Sequence, residues 1–341
     1  MLAVLLALAA ALGYGCSDFA AGLASRDSSV IGVTLLASAI STAIIAAALP
    51  FAASPGPRAA ALAWGFGAGL GGTLGALALY LGFRYAAFSV AGPLSAVGSA
   101  GFSVLAGLLY GERPTALALA GIVLALPAIV GVSVGAGEGP AADPGGGARA
   151  GAARGMVLGL VAGACFALLF VGLDRAGSGS GLWPVAAATV GELAAALTAA
   201  IVAGLARGTG GLSAGTAEVA SAAEGGSRLA RVFRLARVLG LARVLGLARV
   251  LGLARVFRLP AGRARLLAVT SGVAAESGII SFFFATHQGL LAVAAVLASL
   301  YPAVTIVLAR TVLGERLTAL RLGGLALAGV CVSLIAVGGS G

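Results

Sequence analysis

The chain has no lysine, one histidine and three cysteines, and charged side chains occupy only 9% of its 341 positions. Soluble domains carry about 25% charged residues, so this scarcity excludes a water-facing globule. Cys16, Cys165 and Cys331 stand far apart, without the paired spacing of a disulfide framework or a zinc site. With one histidine and no cluster of metal ligands, the chain has little catalytic equipment. An intramembrane enzyme is therefore disfavoured, and neither a metal nor a cofactor is expected. Gly65-Phe66-Gly67-Ala68-Gly69 resembles a nucleotide loop only in composition. It lies inside an apolar run with no strand before it and no Lys-Ser/Thr after it, which excludes ATP binding.

What the chain does have is hydrophobic residues, 60% of the total. They fall into ten blocks, near 2–23, 29–50, 61–83, 88–110, 115–135, 155–175, 182–205, 265–287, 289–312 and 318–338. Twenty helical residues at about 1.5 Å each cover the ~30 Å hydrocarbon core. The pattern predicts an all-α integral membrane protein with ten transmembrane helices. The first block has no basic leader and contains Asp18, so it reads as a retained span rather than a cleaved signal.

All 21 basic residues are arginine, and Arg207 with the ten arginines between 228 and 265 makes up over half of them. The +10 net charge thus describes one loop. The arginine, alanine and glycine bias suggests GC-rich coding and a bacterial source. Between Leu229 and Arg258 the phrase LARVLG or LARVFR occurs five times. On a helix a six-residue step turns by about 240°, which scatters the arginines over all faces. On a strand leucine and arginine share a face. A near-perfect six-codon repeat is what replication slippage produces, so the stretch reads as a tolerated insert. Contact with anionic headgroups is the alternative, and nucleic-acid binding is not expected.

Residues 90–117 align without gaps on 293–320, with 13 of 28 positions identical, including Gly111-Glu112-Arg113 against Gly314-Glu315-Arg316. Span one matches span six more weakly at an offset of 149 residues, pairing Cys16 with Cys165. The duplication divides the chain into a first repeat (1–135), a Gly/Pro-rich linker (136–153) and a second repeat (154–338) interrupted by an insert at 206–264. Five spans per repeat put the halves in opposite orientations, as two inverted five-helix repeats, a recurrent transporter plan.

Ten spans in two repeats, each with GER between its fourth and fifth span, resemble the EamA-type members of the drug/metabolite transporter superfamily. Supporting phrases are LGYGCSDFAAGLASR, FRYAAFSVAGPLSA and ASLYPAVTIVLARTVLGERL. The resemblance covers all but 206–264. It implies a multi-pass transporter of a bacterial cell membrane, a proton-driven exporter of amino acids, other metabolites or drugs. The expected partners are a small-molecule substrate and the lipid bilayer, with a homodimer left open. An uncoupled facilitator and a non-transporting scaffold are the rival readings.

A charge at bilayer depth costs at least ~2.5 kcal/mol, so intramembrane ionisable groups are candidates for function. Asp18 lies deep in span one, four residues after Tyr14; Glu192 is near the middle of span seven, and Glu276 is mid-span in span eight. Glu276 aligns with Thr73, so the duplicated fold does not require an acid there. An asymmetric carboxylate suits a proton or cation carrier; the alternative is a glutamate satisfied by neighbouring hydroxyls. Tyr80 and the run Phe282-Phe283-Phe284 are candidates to line an apolar cavity, or else pack. His287 reads as a surface or snorkelling residue. Tyr301-Pro302 is expected to interrupt span nine, since proline lacks an N–H.

Glu112, Arg113, Glu315 and Arg316 of the two GER turns read chiefly as hairpin residues, with gating as the alternative. Gly111 and Gly314 suit a left-handed helix end, Thr115 and Thr318 cap the next helix, and the glutamates lie before its positive start. On orientation two signals disagree. Arg58, Arg113 and Arg175 fall on the side of the termini and the other arginines opposite, which argues for termini outside; the resemblance implies termini in the cytoplasm.

Overall fold

The computed structural model describes residues 1–341 except 53–55, 86–87, 134–146, 224–259, 314–317 and 339–341; side chains at 27, 80, 82–93, 132–152, 204–223 and 321 are also outside the description. Among the described residues all regular structure is helical: α1 (Leu2–Asp27), α2 (Val30–Ala48), α3 (Ala59–Tyr85), α4 (Phe88–Leu109), α5 (Ala116–Ser133), α6 (Gly147–Arg175), α7 (Trp183–Ala223), α8 (Gly262–Thr286), α9 (Leu291–Ala298), α10 (Tyr301–Leu313) and α11 (Ala319–Gly338). Among the described residues, seven stretches are long and apolar enough to cross a membrane, and three shorter apolar helices accompany them. This is a multi-pass, all-α membrane protein. Helix is the form such residues take in lipid, because it satisfies every backbone N–H and C=O internally.

The helices begin and end where local chemistry directs. Ser29 accepts from Gly32 N at 3.2 Å and starts α2. Gly111 takes φ +91°, and Gly111 N and Glu112 N donate back to Leu108 O and Gly107 O at the end of α4; only glycine enters this left-handed region without strain. Thr115 Oγ1 then accepts from Ala118 N at 3.2 Å to start α5, and donates to Gly338 O at 2.8 Å at the end of α11.

One apolar stretch, Leu291–Leu313, is two helices rather than one. The break falls at Ser299 and Leu300, just ahead of Pro302, which has no N–H to continue the ladder. α9 is buried at all eight positions, whereas α10 buries only Ile306. α7 runs to Ala223, well past the expected end at 205, because its alanine-rich continuation keeps helical backbone; α8 starts at Gly262. The LARVLG repeats lie outside the described residues.

α1 packs on α8, and α3 packs on α6 and α7. α4 lies against α6 and α9, α2 against α7 and α8, α5 against α11, and α1 also meets α10. The main core lies where α1, α4, α5, α6, α8 and α9 meet. Small residues bring the helices close: a Cβ at Gly13 would lie 2.7 Å from the backbone of Ala274 and Gly278, and one at Gly69 only 1.8 Å from Ala188 O. In lipid, close backbone approach replaces the hydrophobic effect as the source of helix association.

Candidate functional site

Tyr14 stands at the centre of the candidate site. Its ring lies against α8, where a Cβ at Gly278 would be 2.9 Å from Tyr14 Cδ1 and Cε1. Phe170 of α6 is 6.1 Å away centroid to centroid, and Phe170 stacks on Phe282 of α8 at 4.4 Å and 27°. Glu192 of α7 and Glu276 of α8 are both near enough to act electrostatically on the Tyr14 phenol, and Glu192 acts on Glu276. At about 1.5 Å per residue, Tyr14, Glu192 and Glu276 lie at similar depth, each roughly 14–18 Å from the helix ends on the side of the termini.

Glu276 is 1% exposed, and neither carboxylate oxygen has a hydrogen-bond partner among the described residues. The Tyr14 hydroxyl is likewise buried without a partner there. Enclosed polar groups are normally paired, so each exception asks for a reason. Glu192 is half-buried. Its backbone carbonyl accepts from Thr73 Oγ1 at 3.2 Å, and its Oε1 sits 3.3 Å from where a Cβ of Gly72 would be. The glycine makes room for the carboxylate beside α3.

Asp18 is one helical turn beyond Tyr14 and so projects from nearly the same face of α1. It is exposed, and a Cβ at Gly22, a further turn along, would meet nothing within 4 Å. The face of α1 that carries Tyr14 thus opens towards the side away from the termini. Its neighbouring face is tied to α8 by Ser17 Oγ and Ser271 Oγ, 2.9 Å apart and buried. Towards the termini the site is closed by Phe170, Phe282, Phe283 and Leu173, all nearly or fully buried.

At that closed end the GER turn does something its sequence did not announce. The Glu112 carboxylate accepts from Leu291 N and Ala292 N, the latter at 2.9 Å. It caps α9, some 180 residues away, and not α5, whose start it precedes. Glu112 N itself donates back to Gly107 O and closes the end of α4. Arg113 is exposed and Arg175 lies over the Tyr110 ring at 4.5 Å. His287 is not a snorkelling residue. It ends α8 with Nδ1 2.6 Å from Phe283 O and its ring 4.5 Å from the Phe283 ring, and its Nε2 is buried without a partner among the described residues.

Phe283 is fully enclosed between His287 and Phe284, and Phe284 faces outward. Of the three phenylalanines, Phe282 is therefore the one that reaches the Tyr14 region. Tyr80, Glu315 and Arg316 lie outside the described residues or side chains. Phe170 and Thr73 join the site although neither was a candidate; the four-residue spacing of Phe166 and Phe170 on α6 was the available signal. An outer groove between α5 and α11 is lined by Leu117, Gly329, Ser333 and Val337, and by none of the three acids.

A family model matches the segment that supplies Tyr14, Asp18, Thr73 and Glu112. The model of the EamA-like transporter family matches residues 1–134. A solved crystal structure of a protein is similar at a TM-score of 0.66 and 15% identity, covering 98% of this chain and 96% of its own, which shows a shared fold. No curated protein matches the chain. The EamA-like segment thus contributes one wall of the site, and residues beyond it contribute Phe170, Glu192, Glu276 and Phe282.

Proposed function

We propose that the protein is a secondary transporter of the EamA type, which exports a small metabolite or drug by alternating access and is driven by protons. The observation that carries this reading is Glu276, an acid enclosed in the middle of a helix bundle with both oxygens unpartnered among the described residues. An acid kept at that depth without a structural partner is a functional group by default. When the helices around it rock, it meets water on one side and then the other, and exchanges its proton with each in turn. Tyr14 and Glu192 form the rest of the binding level, and Asp18 stands at its open side.

The packing supports ten spans in two inverted five-helix repeats. Gly71 meets Cys165 and Gly75 meets Ala162 and Phe166; likewise Ala274 meets Gly13 and Gly278 meets Ala10 and Tyr14. The α3 and α8 members of these contacts are 203 residues apart, the offset of the GER duplication, and the α1 and α6 members are 152 apart. That second offset differs by three residues, almost one turn, from the sequence match at 149. The repeats are taken as 1–135 and 154–338, joined by 136–153 and interrupted at 206–264. We place the chain in a bacterial plasma membrane with its termini in the cytoplasm, so that the open side faces out.

The test is solute release from proteoliposomes holding the full chain, with and without an imposed pH gradient, for wild type and Glu276→Gln. Gradient-driven release lost in the variant is the expected result. Release indifferent to both gradient and variant would leave an uncoupled facilitator, and release of no solute would overturn the transport reading.

A further inference from the structure

We infer that the site carries an organic cation, an amine on an apolar body of aromatic size, and not an amino acid, a sugar or an anion. The inference rests on the transport reading and names its cargo. Its first support is the polar inventory of the spans. The chain has no asparagine and no lysine, and its one glutamine, Gln288, lies exposed in the α8–α9 turn. Every arginine within an apolar stretch is confined to that stretch's end. Arg26 and Arg175 are final residues, Arg154, Arg263 and Arg265 fall among the first four, and Arg310 among the last four. Asp18, Glu192 and Glu276, by contrast, are interior to theirs.

This leaves carboxylates, hydroxyls and backbone carbonyls as the polar groups at the level of Tyr14. An amino acid brought there would set its own carboxylate beside Glu192 and Glu276 with no guanidinium, ammonium or amide to receive it, and an unpaired carboxylate is costly in a low-dielectric interior. A sugar or nucleobase is normally oriented by planar amide or guanidinium pairs, which the spans lack. A ligand rich in donors and positive charge meets the opposite situation, because every acid is an acceptor.

The second support is independent of the number of acids. Both oxygens of Glu276 and the hydroxyl of Tyr14 are enclosed without partners among the described residues. These are hydrogen-bonding capacities held in reserve, and an ammonium with three N–H donors fits them. The third is the aromatic wall: Tyr14 lies 6.1 Å from Phe170, which stacks on Phe282 at 4.4 Å. Aromatic faces attract cations as well as apolar rings. Asp18, exposed on the open side, supplies the first negative charge such a ligand would meet.

The decisive probe is a series with one body and three charges: phenethylamine, phenylalanine and 3-phenylpropionate. Binding is measured by calorimetric titration of the purified full chain in detergent, separately from transport in proteoliposomes. The amine is expected to bind on the order of tenfold or more tighter than the zwitterion, with the anion weakest, and Glu192→Gln and Glu276→Gln are each expected to weaken the amine about tenfold, as loss of a charge-assisted bond does. Equal or tighter binding of phenylalanine or phenylpropionate overturns the inference, as does binding of none of the three. Release of phenylalanine, but not of the amine, from proteoliposomes would keep the transport reading and sink this one. Binding of the amine without release of any solute would overturn the transport reading and, with it, the amine's role as cargo. Because the ligand series uses the unaltered protein, a variant that fails to fold does not spoil the comparison.

Discussion

The Glu112 carboxylate caps the first turn of α9 through Leu291 N and Ala292 N, and it does so from a hairpin in the other part of the chain. A helix start left without acceptors is costly in lipid, where water cannot substitute. Replacing a side-chain cap typically costs about 0.5–2 kcal/mol. Glu112→Ala should therefore lower the thermal midpoint of the purified protein, and Glu112→Gln, which retains one acceptor oxygen, should lower it less. Equal midpoints for all three proteins would show that the contact holds nothing.

Glu276 invites the opposite expectation for stability. Neither of its oxygens has a partner among the described residues, so an apolar side chain of similar length loses no hydrogen bond and removes a buried polar group. Glu276→Met should unfold at the same temperature or higher while gradient-driven release is lost. A fall of many degrees would make Glu276 a structural residue.

The α1–α8 crossing offers a steric test. A Cβ at Gly13 would lie 2.7 Å from the backbone of Ala274 and Gly278, whereas one at Gly22 would meet nothing within 4 Å. Gly13→Ala should cost about 1–3 kcal/mol, as overpacking does, and Gly22→Ala close to nothing. Thermal unfolding of the two variants side by side distinguishes a packed crossing from a loose one.

Ser17 and Ser271 share a buried hydrogen bond of 2.9 Å. Removing either hydroxyl strands the other, at about 1 kcal/mol, while removing both leaves nothing unpaired. The double variant Ser17→Ala/Ser271→Ala should thus be no less stable than the worse single variant. Strict additivity of the two losses in a double-mutant cycle would show that the pair is not coupled.

These contacts mark the boundary of what could be read from residues alone. The spans were legible because hydropathy is a local property that lipid enforces, and so were the Gly111 turn, the Thr115 cap and the break before Pro302, which depend on a few consecutive residues. Asp18, Glu192 and Glu276 could each be singled out from their depth. That Glu192 and Glu276 come within electrostatic reach of Tyr14 while Asp18 stands apart at an open mouth depends on which helix faces which, and that information is spread over small residues such as Gly13, Gly69 and Gly278. Glu112 shows the same limit. Its charge suited a helix start, but that its carboxylate bonds the start of α9, some 180 residues on, could not be read from the turn itself. His287 looked like an interface residue and turns inward because the end of α8 folds it onto Phe283.

α9 has another consequence. None of its eight side chains reaches the surface, so within the bilayer this segment never touches a lipid tail. Greasiness is then not what selects its residues; volume is. On α11, where Leu320, Leu322, Val330 and Val337 face outward, the reverse holds, and one large apolar residue serves as well as another. Descendants of this chain should drift freely among leucine, valine and isoleucine along α11, while α9 keeps its pattern of four alanines among four larger residues almost atom for atom.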